Sequence, residues 1–128
     1  MKLLLDTHTF LWLVEGSPSL SPAALAALTD PLNELNLSVA SVWELAIKIG
    51  NKKLALTDPL HTFVSKWTVT YQLGLLPIDT PHVLAVVGLP DHHRDPFDRI
   101  LIAQARVEGM TLLSADAKFA AYPVPILW

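Results

Sequence analysis

With 128 residues, 52% of them hydrophobic and only 16% charged, the chain carries enough apolar side chains to bury about two thirds of its unfolded surface around one core. A net charge of -3 and a pI near 5.9 argue against a protein that coats nucleic acid by bulk electrostatics, because such binding is driven by counterion release at Lys and Arg clusters. They do not exclude an enzyme that meets phosphate through a bound cation, which brings its own positive charge. Cysteine is absent, so there is no disulfide framework, and any metal would rest on oxygen or imidazole ligands.

No apolar run reaches the roughly 18 residues needed to span a bilayer, and Leu3 to Leu5 is too short for the core of a signal peptide. No repeat, low-complexity tract or linker interrupts the chain. The expectation is one continuous domain over residues 1–128, cytoplasmic, with no membrane contact.

Lys2 to Leu5 reads as a strand and Thr9 to Val14 as a short helix closed by Gly16. Ser21 is placed to cap a second helix with Pro22 at its first position, leading into AALAALTD. Asn36 to Val39 forms a second strand. SVWELAIKIG then sets Val42, Leu45, Ala46 and Ile49 on one helical face before Gly50.

Between Pro59 and Gly74, Leu60, Phe63, Val64, Trp67 and Tyr71 recur at helical spacing, although the β-branched Thr68, Val69 and Thr70 weaken the pattern near its end. Leu75 to Ile78 is a third strand. In DPFDRILIAQARVEG, Asp95 caps, Pro96 begins the helix, Phe97, Ile100, Leu101 and Ala105 face inward, and Gly109 terminates. Thr111 to Leu113, Asp116 to Ala121 and Pro125 to Leu127 follow as strand, short helix and strand. This alternation predicts an open α/β fold, a parallel sheet covered on both faces.

Ligands of an open parallel sheet bind at the carboxyl ends of its strands, which makes the residues just after each strand informative. Asp6, Glu44, Asp98 and Asp116 all fall near such junctions. Each also has a local explanation: Ser41 and Glu44 match a capping box, Asp95 and Asp98 imitate one, and Asp6 and Asp116 suit helix starts. Capping does not account for acids recurring at one end of successive junctions in a chain with only 12 Asp plus Glu. Carboxylates gathered there would repel unless protonated or neutralised by a cation. Hard ions such as Mg2+ or Mn2+ are held in this way, and the reaction that such a site suits best is hydrolysis of a nucleic-acid backbone, although acid clusters also serve phosphatases and phospho-accepting signalling domains.

LLLDTHTFLW, SVASVWELAIKIG, HHRDPFDRILIAQA and LLSADAKFAAY resemble, in order and spacing, the PIN domain of the VapC type, the ribonuclease toxin of bacterial toxin–antitoxin pairs. The resemblance runs nearly end to end. It implies a three-layer α/β/α sandwich around a central parallel sheet, Mg2+-dependent endoribonuclease activity with Mn2+ as substitute, an RNA substrate, homodimerisation and a small cognate antitoxin.

The family's acidic positions fall on Asp6, Glu44, Asp98 and Asp116. Asp6 and Asp98 are then the expected direct metal ligands, with Glu44 and Asp116 completing the pocket and orienting water. Asp95 is a helix cap first and a contributor behind the ligands second. Thr7 and Ser114 could hydrogen-bond a carboxylate or a metal-bound water. His93 and Arg99 are weak candidates for phosphate contact, with an Arg99–Asp95 pair at (i, i+4) an equal alternative. His8 and His92 lack zinc-site spacing, and Trp12, Trp43 and Trp67 read as core or interface. Two rivals stand beside this reading: a catalytically silent binding module, and a receiver-like phosphoryl-transfer domain, whose expected acid pair and lysine are not visible.

Overall fold

The computed structural model describes residues 1–128. In chain order the elements are β1 (Lys2–Leu5), α1 (Thr7–Glu15), α2 (Pro22–Thr29), β2 (Glu34–Ser38), α3 (Val39–Gly50), α4 (Leu60–Thr70), β3 (Gly74–Leu76), α5 (Thr80–Val86), α6 (Pro96–Glu108), β4 (Thr111–Leu113), a 3-10 turn (Ala117–Ala121) and β5 (Ile126–Leu127). All neighbouring strands pair in parallel, in the order β3-β2-β1-β4-β5. The chain builds outward from β1 to β3, then crosses to the other side of β1 to lay down β4 and β5. The reversal leaves a crevice at the carboxyl ends of β1 and β4, where open parallel sheets bind their ligands.

The alternation of side chains along a strand divides β1 between two cores. Leu3 and Leu5 pack with Phe10 and Leu13 of α1, Ala24 of α2, Leu45 of α3 and Phe63 of α4, while Leu4 packs with Leu101, Ile102 and Phe119 on the opposite face. All three leucines have no exposed surface. At about 1.5–3 kcal/mol for each large apolar side chain removed from water, β1 is the spine of a three-layer α/β/α sandwich. No helix is long and apolar enough to cross a membrane.

Several boundaries differ from the sequence expectation, each for a local reason. α1 begins at Thr7 rather than Thr9, because Asp6 caps it by accepting from the Thr9 N–H at 2.8 Å. α3 begins at Val39 rather than Ser41, because the Ser38 hydroxyl accepts from the Ala40 N–H. That moves Ser41 and Glu44 inside the helix and removes the capping-box explanation of Glu44. α4 runs to Thr70 despite these β-branched residues, and the Thr68 and Thr70 hydroxyls donate back to the carbonyls of Val64 and Lys66.

β3 stops at Leu76, since Pro77 has no N–H to extend the ladder. At its start, a Cβ on Gly74 would lie 2.8 Å from Asn36 Oδ1, so any larger residue there would have to displace the Asn36 side chain. α5 has no counterpart in the sequence reading. Asp79 precedes its seven residues as the N-cap, and His82 Nδ1 accepts from the Asp79 N–H, an unusual cap in which an imidazole replaces Glu or Gln. Trp43 is not a core residue: it is 57% exposed and meets Phe97 edge-on with ring centroids 5.0 Å apart.

Candidate active site

Asp6 leaves β1 directly at the crevice and is 7% exposed. Its Oδ1 accepts the capping bond from Thr9 N–H, and its Oδ2 accepts from the Ser114 hydroxyl at 2.5 Å. Ser114 follows β4 and also accepts from the Asp116 N–H at 3.0 Å, so one hydroxyl ties the ends of β1 and β4 to the next loop. The Thr9 hydroxyl donates to the Leu113 carbonyl at 2.8 Å, closing the same junction. A carboxylate held by this many partners keeps its place without a ligand.

Glu44 reaches the crevice from the second turn of α3. The Thr7 hydroxyl lies 2.7 Å from its Oε1 and 3.0 Å from Ser41 Oγ; a carboxylate only accepts, so Thr7 donates its proton to Glu44. The other oxygen, Oε2, pairs with Lys48 Nζ at 2.9 Å, one turn along the helix. Asp116 caps the 3-10 turn through Lys118 N–H at 2.9 Å. Asp95 caps α6, accepting from the N–H groups of Phe97 and Asp98. The capping accounts of Asp6, Asp95 and Asp116 are therefore met, while that of Glu44 is not.

Asp98 differs from all of these: its carboxyl accepts no hydrogen bond, and it stands half-buried in the first turn of α6. Burial first, and then the charges of Asp95, Asp116, Glu44 and Asp6 in that order, together push its pKa up from 3.8 to about 7. Every acid singled out from the sequence thus lies close enough to be felt at this one carboxyl, and no cation offsets them there. No three acidic or imidazole side chains form a finished metal cage. The donor set nevertheless suits a hard cation, because Mg2+ takes one or two carboxylates directly and keeps several of its waters.

His93 and Arg99 are not presented to the crevice. Both ring nitrogens of His93 are shut off from solvent and unpartnered, with the ring edge-on to Tyr122 at 5.2 Å. Arg99 does not pair with Asp95 through its side chain. Its guanidinium donates to the carbonyls of Pro90 at 2.8 Å and Val86 at 3.2 Å, and reaches that of His93 at 3.4 Å, riveting the segment between α5 and α6.

Two buried polar residues carry roles that the sequence reading did not give them: Ser41 entered it only as a cap, and Gln104 was not singled out. Ser41, 1% exposed, supports Thr7. Gln104, with no exposed surface, accepts from the Ser38 hydroxyl and donates to the Pro77 carbonyl at 3.1 Å. Each is a polar residue set into an apolar helical stripe, which is the signal that could have found them.

A cleft of about 260 Å3 opens at the crevice between Asp6, His8, Trp12, Ala115 and Asp116. A larger one of about 560 Å3 lies at the amino ends of β2 and β3, beside Asp30, Glu34 and Gly74, and contains none of these acids. Strand polarity, not volume, decides which of the two is the candidate site.

Among solved structures, the chain is similar to VapBC2 of Rickettsia felis bound to a promoter DNA fragment (16% identity, TM-score 0.75, 98% of this chain and 97% of that one). It is likewise similar to DNA-bound VapBC of Salmonella typhimurium (17%, 0.68, 98% and 96%) and to FitAcB of Neisseria gonorrhoeae (20%, 0.67, 97% and 95%). At such identities these likenesses concern the fold. No curated protein matches the chain. The sequence model of the PIN domain matches residues 3–125, from the first leucine of β1 to the edge of β5, and on that match the chain belongs to the PIN domain family.

Proposed function

We propose that this protein is a divalent-metal-dependent endoribonuclease, the toxin of a toxin–antitoxin pair. The observation that carries the reading is the convergence of Asp6, Glu44, Asp98 and Asp116 on one crevice, registered in the raised pKa of Asp98. Asp6 and Asp98 would hold the ion, Mg2+ or Mn2+, with Glu44 and Asp116 turned toward its waters. When bound, the ion supplies Lewis-acid stabilisation of the charge that develops on a phosphodiester under in-line attack.

The chain's own part is positional. Ser114 and the start of α1 fix Asp6, and Thr7 aims Glu44 while Lys48 balances its outer oxygen. Asp98 holds a proton near neutrality until a cation takes that place. Asp95 stays on the helix terminus and adds negative charge behind Asp98.

Protein partners fit this reading as well. Trp43, Ile47, Val83, Leu84 and Val87 are large apolar side chains exposed on α3 and at α5, and Trp43, Val83 and Val87 line one apolar cleft with Phe97 of α6. They support a second copy of this chain, and the likeness to solved VapBC structures, one of them a member of the VapBC family of toxin–antitoxin systems, supports a small antitoxin as the inhibiting partner.

Purified protein with Mn2+ is expected to cleave RNA from a mixed pool, and Asp6→Asn to leave it intact. Growth arrest on expression, relieved by the product of an adjacent small open reading frame, tests the toxin assignment separately. If the wild type cuts no RNA with either metal, the nuclease reading fails and the silent-module alternative gains.

A further inference from the structure

We infer that His8 and Trp12, with Trp128 behind them, form a nucleobase subsite beside the acidic centre, receiving one base of the RNA next to the scissile phosphate. The inference rests on the nuclease reading and adds to it a binding surface. His8 and Trp12 lie one turn apart on α1, so their side chains rise along the same face from the Asp6 end of the helix. Their ring centroids are 5.9 Å apart, and those of Trp12 and Trp128 are 5.7 Å apart. The row starts inside the same cleft as Asp6 and Asp116.

Trp12 is half-buried yet belongs to neither apolar core, whereas Trp67 and Trp128 pack against the larger one. Its only aromatic neighbours are tilted by 40° and 53°, so neither covers the indole by parallel stacking. His8 is exposed, and its ring makes no hydrogen bond within the chain. A large aromatic that the core does not use, beside an unpartnered imidazole, is suited to stacking a planar group and contacting its polar edge.

Charge decides which part of a nucleotide enters. The cleft is lined by two carboxylates and contains no Lys or Arg, so an uncompensated phosphate would be repelled by it, while an uncharged base would not. Its volume, about 260 Å3, lies just below the roughly 300–1,000 Å3 of pockets that hold drug-sized ligands, room enough for one base. The phosphate is left to the metal site at the head of the row.

The test uses the full chain in two arms. In the first, short RNA is cleaved with Mn2+ by wild type, Trp12→Leu, Trp12→Phe and His8→Gln, with Mn2+ affinity read by electron paramagnetic resonance. Trp12→Leu is expected to raise KM on the order of tenfold, as loss of one base stack does, with Mn2+ affinity unchanged, and His8→Gln to flatten base preference at the cut. Trp12→Phe, still aromatic, is expected to restore most of the loss.

In the second arm, nucleoside 5′-monophosphates with Mg2+ are titrated into wild type while indole N–H signals are followed by NMR. The Trp12 signal is expected to shift and that of Trp67 to stay. Unchanged KM in Trp12→Leu while Asp6→Asn abolishes cleavage overturns the subsite and leaves the nuclease reading intact. If the wild type cuts no RNA, the nuclease reading has failed, and the second arm alone decides: a static Trp12 signal overturns the subsite and a shifted one upholds nucleotide binding.

Discussion

Replacing Asp98 with Asn removes one ionisable proton site and keeps the shape, so its effect on stability isolates the electrostatic cost of the acidic cluster. The folded-state pKa of Asp98 is raised from 3.8 to about 7. Between those values the native chain binds a proton that the unfolded chain has released, and stability therefore falls as pH rises from about 4 to 7. Above 7 the loss is complete, and below 4 it is absent. At about 1.36 kcal/mol per pH unit the full interval is worth about 4 kcal/mol. Asp98 is only half-buried, and water screens much of this, leaving a penalty of about 1–2 kcal/mol.

Asp98→Asn is accordingly expected to be more stable than wild type at pH 8 by about 1–2 kcal/mol, or about 3–8 °C in Tm for a domain of this size. The two should unfold alike near pH 4. Urea denaturation and thermal melts across pH 4–8, without divalent ions, measure the difference. Mn2+ then provides the converse: an ion present at about 100 times its Kd adds about 2.7 kcal/mol to a protein that binds it. That gain should appear in wild type above pH 7 and shrink in the variant, which is also expected to lose cleavage. An Asn variant that is no more stable at pH 8, or whose advantage does not change with pH, would refute the cluster as the source of the raised pKa.

Three further outcomes follow from the geometry. Ser114→Ala leaves Asp6 Oδ2 without its donor, which should cost about 1.5–3 kcal/mol as for other hydrogen bonds to charged groups; chemical denaturation reads the cost, and Mn2+ affinity should weaken with it. Arg99→Met should free the segment between α5 and α6, seen as faster amide exchange around Pro90 to His93, while leaving the salt dependence of RNA binding unchanged; a shallower salt slope would show that Arg99 meets phosphate after all. Leu4→Ala, at a site with no exposed surface, should cost about 2–5 kcal/mol without altering the Mn2+ affinity of whatever protein remains folded at low denaturant.

How far the sequence foretold this site varies with the kind of signal each residue gives. Pro96 behind Asp95 and Gly109 at φ 66° bound α6 unambiguously, because ring closure and left-handed backbone are properties of single residues. The strand–helix alternation likewise conveyed a parallel sheet, and with it the edge where Asp6 and Asp116 emerge. The start of α3 was harder, since Ser38 and Ser41 are equally able caps and only the position of β2 chooses between them. Gln104 and His82 were silent for a related reason: their partners, Ser38 and Pro77 for one and Glu108 for the other, are remote in sequence and local patterns do not report them.

Capping and ligation, which compete as explanations along the sequence, are compatible once lone pairs are counted. A carboxylate offers about four acceptor positions. Asp6 gives one to Thr9 and one to Ser114, so it is oriented at its helix start and still has capacity facing the crevice. Asp116 gives one to Lys118. Glu44 divides its oxygens between Thr7 and Lys48. Only Asp98 spends nothing within the chain, and it is also the carboxyl on which the other charges bear. The three tethered acids hold a field in place, and the free one records it. A cation entering this crevice would therefore gain most at Asp98, while the tethered acids need little rearrangement to meet it. Loosening a tether through Ser114→Ala should weaken ion binding in a pH-independent way, whereas altering Asp98 should change its pH dependence.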